Sequence, residues 1–126
     1  MLYTTYFAKV KTLPKTITPV SIARKAPDGW TGPEYKKLAP SPNILSEWKE
    51  KQDQDSYFNR FFSEVLDNMR ADEVLAELYA LVDTADIAFV CYEKPEDFCH
   101  RHLVADWFRE GGFEVEEWKE GIEENV

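Results

Sequence analysis

Residues 87–92, IAFVCY, form an apolar run with no alternation. A strand with one wet face alternates apolar and polar side chains. An unbroken run needs cover on both faces, as in the centre of a parallel sheet. The flanking sequence supplies that cover. Phe58, Phe61, Phe62, Val65, Leu66 and Met69 recur at spacings of three and four, which predicts an amphipathic helix capped by Asp53 or Asp55. A further helix begins at Asp72, with Val74, Leu75, Leu78, Leu81 and Val82 on one side. Downstream, residues 97–110 predict a helix that Gly111 and Gly112 stop.

The remaining elements complete an α/β order. Residues 2–10 and 19–24 read as strands, the first rich in aromatic and β-branched side chains. Residues 26–43 hold four prolines and two glycines and read as a loop anchored by Trp30, Tyr35 and Leu38. Asn43 is a candidate cap for a short helix ending near residue 51, and residues 113–118 alternate as an edge strand does. The expectation is one α/β domain over 1–126, a three-layer sandwich around a small, mostly parallel sheet. Its acidic tail begins at about residue 119. The short link between the first two strands leaves little room for a full crossover helix.

Charge narrows the function classes. The chain carries nine basic and four acidic side chains through residue 51, a net of +5. Beyond it stand six basic and 20 acidic ones, a net of −14. The overall −9 argues against general nucleic-acid binding, which needs a concentrated basic surface. No apolar run approaches the roughly 18 residues of a membrane span, and no secretory signal is visible near Met1. A cytoplasmic protein is expected, with Cys91 and Cys99 as reduced thiols. The sequence leaves the oligomeric state open.

In open α/β sheets ligands bind beyond the carboxyl ends of strands. One such end carries Ser21 and Arg24. Another carries Cys91 and Glu93 and leads into Cys99, His100 and Arg101. If Asp97 caps the following helix, the amides of Cys99 and His100 face outward as anion donors, and a nearby thiol is acidified. If Pro95 starts that helix instead, Cys99 falls in the second turn. Arg24 and Arg101 are candidate clamps for a phosphate or carboxylate, since a guanidinium fork matches either group. Cys99 or Cys91 is the candidate nucleophile, His100 the base, and Glu93 its orienter or an acid. The plainer reading makes each a structural residue: small core cysteines, a buried histidine, and an arginine bridging Glu93 or Glu96.

Cys91, Cys99, His100 and His102 are ligand types suited to zinc. Around a helix, however, side chains at 99, 100 and 102 diverge, so no metal is expected. No motif for a cofactor occurs, and none is expected.

The stretch CYEKPEDFCHRHLVADWF resembles the C-terminal signature of the domain of unknown function 488 family, DUF488. In that signature Cys-x-Glu follows a buried strand and Cys-His-Arg opens a helix. SIAR at 21–24, LAPS at 38–41 and the aromatic helix around Tyr57 and Phe61 extend the resemblance over most of the chain. It implies a small α/β protein of a kind common in bacteria and phages. It also implies a site at Arg24, Cys91, Glu93, Cys99, His100 and Arg101, without settling an activity. Three functions fit: an enzyme acting on a nucleotide-like or phosphorylated small molecule, a module that binds such an anion without turning it over, or an interaction protein.

Overall fold

A computed structural model describes residues 1–93 and 98–119. Four strands form one parallel sheet: β1 (Leu2–Tyr6), β2 (Ile17–Ser21), β3 (Asp86–Cys91) and β4 (Val115–Glu117), in the order β2-β3-β1-β4. The helices are α1 (Pro42–Lys51), α2 (Gln54–Glu64), α3 (Ala71–Leu81) and α4 (His100–Glu110). Short 3-10 helices span Phe7–Thr12, Lys36–Leu38 and Leu66–Asn68. The single-domain α/β expectation holds. Among the described residues no helix is long and apolar enough to cross a membrane.

Sheet order dictates the layers. From β1 to β2 the chain moves one way across the sheet, and from β2 to β3 and β3 to β4 it moves the other way. Right-handed crossovers then place the connections on opposite faces. All four α-helices accordingly pack on the face formed by Leu2, Val20, Ile87, Phe89 and Val115. The opposite face carries Tyr3, Ile17 and Ala88 under Trp118 and Leu13. Its cover is thin: Trp118 meets Tyr3 edge-on at 5.5 Å and donates its indole N–H to Thr12. The 3-10 helix at Phe7–Thr12 replaces the crossover helix for which the chain has no room.

β3 is buried from Ile87 to Cys91, as its unbroken apolar run requires. Phe89 stacks on Phe108 of α4 at 5.2 Å, and both are fully buried. Each such burial stabilises by about 1.5 to 3 kcal/mol. β1 ends at Tyr6, short of the expected residue 10. β2 begins at Ile17, upstream of Pro19. That proline is tolerated because β2 is an edge strand whose only ladder among the described residues is with β3; its outer side carries just one bridge, at Ser21 to Glu34.

Several helix starts differ from expectation. Ser41, not Asn43, caps α1: its hydroxyl accepts from the Ile44 amide at 3.2 Å, with Pro42 in the first turn. Of the two candidates for α2, Asp53 is the cap. α4 begins at His100 with Cys99 as its N-cap residue, later than expected. Asp97 and Pro95, the two proposed starts, lie outside the described residues, as does the tail beyond residue 119. Gly112, at φ +93°, ends α4, and the Phe113 amide reaches back to the Phe108 carbonyl.

Candidate functional site

The carboxyl end of β3 lies between those of β1 and β2, in the region where open α/β sheets bind ligands. Tyr6 and Cys91 are register partners there. Strand alternation puts Cys91 on the helical face with Ile87 and Phe89. Cys99 stands opposite, because its backbone is extended (φ −151°, ψ 141°) rather than helical. The side chains of Cys99 and His100 therefore need not diverge as two helical neighbours would.

The two cysteines are joined in a disulfide across eight residues of sequence. This corrects the expectation of two reduced thiols. That expectation came from compartment statistics, whereas pairing is decided by the strand end and the helix start facing each other. His100 lies beside the bond, with Nδ1 at 3.9 Å from Cys99 Sγ. Its Nε2 is 2.7 Å from the Ile22 carbonyl, which only accepts, so Nε2 carries the proton and Nδ1 presents a lone pair. Burial pushes the imidazole pKa down to about 4. The ring is thus neutral near pH 7, and its edge rests on Phe61 at 5.5 Å.

A cavity of about 390 Å³ opens on this group. β2 leads into it through Ala23, Arg24 and Lys25, and β3 through Cys91, Tyr92 and Glu93. Cys99 and His100 also line it, with Trp48 and Lys49 of α1, Tyr57 of α2, and Phe98. Aromatic rings form a wall: Phe98 meets Trp48 at 4.8 Å and Tyr57 at 5.0 Å. Burial, and then the Glu93 charge, hold the Tyr57 hydroxyl well above its usual pKa. Arg24 is half-buried at the rim. Its Nε donates to the Pro40 carbonyl at 2.9 Å and its Nη2 reaches Lys36 and Ala39 carbonyls at 3.4 Å.

Arg24, Cys91, Glu93, Cys99 and His100 therefore share one cavity. Arg101 and Ser21 are not among its lining residues. Arg101 is fully buried, and its guanidinium is occupied by the protein. Nε and Nη2 bond the Glu117 carboxylate at 3.2 and 3.1 Å. Nη1 donates to Cys91 Sγ at 3.0 Å and to the Glu93 carbonyl. The Tyr6 ring lies 5.7 Å from its central carbon. Among the described residues its carboxylate partner is Glu117 on β4 rather than Glu93, and Glu96 lies outside them. Ser21 is fully buried, and its backbone bonds Pro33 and Tyr35. By alternation its side chain belongs to the sheet face away from Val20 and Ile22.

Lys25, Trp48, Lys49 and Phe98 were not singled out from the sequence. Lys25 adjoins Arg24, and Trp48–Lys49 is an aromatic–cation pair on a short helix, the only local signals they carry. A larger hollow of about 730 Å³ touches the outer side of Arg24, away from the cysteines. Several of its charges are paired, Lys37 with Glu77 and Arg70 with Asp72.

Residues 7–112 match the family model DUF488-N3a, described as the active DUF488-N3 subclade. The chain belongs to the DUF488 family. The match contains every residue lining the cavity, while all of β1 and all of β4 fall outside it. Comparison of this DUF488 chain with curated proteins and with solved structures returns no match.

Proposed function

We propose that the cavity binds an anionic small molecule of the nucleotide class. One observation carries the reading: Arg24, Lys25 and Lys49 line the same cavity as the Trp48, Tyr57 and Phe98 rings, beyond the carboxyl ends of β2 and β3. The cations suit a phosphate or carboxylate, and the rings suit a flat heterocycle. The size also fits, since small-molecule pockets run from about 300 to 1,000 Å³.

The Cys91–Cys99 bond favours binding without turnover while it is intact. A nucleophile needs a free thiolate beside a base, and the bond occupies both sulfurs. Once reduced, Cys99 stands next to the Nδ1 lone pair of His100, which is the arrangement cysteine chemistry would use.

The test is to equilibrate the purified chain with a metabolite extract and identify what it retains by mass spectrometry. The expected result is retention of a phosphorylated or carboxylated heterocycle. Arg24→Ala should weaken that binding roughly ten- to a hundredfold, the effect of one charge-assisted contact of about 1.5 to 3 kcal/mol. Retention of no anion, or unchanged affinity in both Arg24→Ala and Lys49→Ala, refutes the reading.

A further inference from the structure

Cys91, Cys99 and His100 each bring one donor atom to a common point, all within 4.8 Å of one another and all buried. We propose that, with the disulfide reduced, these three residues bind a zinc-class divalent cation, its fourth position turned to the cavity.

Donor chemistry comes first. Two thiolates and one neutral imidazole form a ligand set for a borderline-soft d¹⁰ ion, and three protein ligands with a fourth place for solvent or substrate is the pattern of reactive zinc centres. The imidazole is already in the required form. Its Nε2–H is held by the Ile22 carbonyl at 2.7 Å, so Nδ1 presents its lone pair toward the sulfurs. A backbone carbonyl holding the far ring nitrogen is the usual support of a metal-binding histidine.

Distances come second. Zn–S near 2.3 Å and Zn–N near 2.0 Å at tetrahedral angles put neighbouring donor atoms about 3.5 to 3.8 Å apart. Cys99 Sγ and His100 Nδ1 stand at 3.9 Å. The Cα atoms of Cys91 and Cys99 are 7.4 Å apart, wider than the roughly 4.4 to 6.8 Å of most bridged pairs. Side-chain rotation can therefore separate the sulfurs to coordination distance without moving the strand end toward the helix.

Charge comes third. Arg101 Nη1 lies 3.0 Å from Cys91 Sγ. Its N–H would remain a donor to the metal-bound thiolate and offset the negative charge of the two sulfurs. The objection that residues 99 and 100 diverge around a helix does not apply, because Cys99 precedes the first helical residue.

The chemistry balances as follows. A water-soluble phosphine reduces the disulfide to two thiols, taking the oxygen of one water as phosphine oxide, and the two hydrogens of that water appear on the sulfurs. Metal binding then releases both thiol protons to solvent. Disulfide and metal are mutually exclusive states of the same atoms.

The inference shares the cavity with the anion-binding reading, but metal uptake is measured with no anion present, so either can fail alone. The reduced full chain is freed of phosphine under argon and titrated with Co²⁺ and then Zn²⁺. The expected result is one Co²⁺ per chain with a thiolate-to-cobalt charge-transfer band, bleached by Zn²⁺. Native mass spectrometry should show one zinc adduct on the reduced chain and none after reoxidation. Absence of the band and of the adduct in the reduced wild-type chain overturns the proposal. So does a band that persists unchanged in Cys99→Ser. Because the wild-type arm decides by itself, a variant that fails to fold does not rescue the idea.

Discussion

Replacing Arg101 by alanine separates a structural brace from a ligand clamp. The side chain is fully buried and pairs with Glu117, itself 21% exposed. Removing one member of a buried ion pair costs about 3 to 5 kcal/mol, chiefly by leaving the other charge without its partner. Glu117 can recover some water, which favours the lower part of that range. Loss of the bonds to Cys91 and the Glu93 carbonyl, and of the contact with Tyr6, pulls the other way. A net cost of about 3 to 4 kcal/mol is therefore expected. A domain of this size loses roughly 3 to 6 °C of Tm per kcal/mol, so Tm should fall by about 10 to 20 °C. Arg101→Lys should recover only part of this, since an ammonium cannot present the two parallel bonds to Glu117. The assay is thermal unfolding followed by circular dichroism at pH 7, with the disulfide intact. A Tm within about 3 °C of wild type, together with lost affinity for an anion, would refute the brace and restore Arg101 as a clamp.

Two further outcomes follow from the same geometry. Stability of the oxidised chain should depend on pH through His100. Its folded pKa of about 4 lies below the usual 6.5, so protonation favours the unfolded chain. Its contribution is fully present above about pH 6.5 and is lost as pH falls toward 4. The Tm advantage of wild type over His100→Gln should shrink across that window, and a constant gap counts against the buried neutral ring. Ser41→Ala should cost about 1 kcal/mol by removing the cap on the Ile44 amide, read as a lower midpoint in urea with an unchanged slope.

The grouping of residues at the candidate site was legible in sequence to the extent that it is local. Cys91, Glu93, Cys99 and His100 lie within ten residues, and the apolar run of β3 fixed which end of the sheet they would reach. Arg24 was recoverable because it follows a second strand. What could not be read were facts set by distant pairing. Arg101 finds Glu117 only because β4 returns beside β1, and nothing near residue 101 specifies that. The start of α4 was misplaced because acidic and proline residues before it carry stronger local start signals than Cys99 does. Ser21 illustrates a different limit. One residue of strand phase decides which face a side chain occupies, and the expected strand, set two residues late, left that phase open.

The position of β1 has a consequence for synthesis. Its five residues pair on one side with β3 and the first three pair on the other with β4, so Leu2 meets Ile87 and Val115. At about 5 to 20 residues per second, the 85 residues separating Leu2 from Ile87 take a ribosome roughly 4 to 17 seconds to make. Throughout that interval LYTTY, with its two tyrosines and two threonines, is a strand-prone segment whose native ladder partners do not yet exist. The sheet is therefore assembled late and from its middle outward. The nascent chain is most open to chaperone capture, or to pairing with another chain, at a segment that ends up inside the sheet.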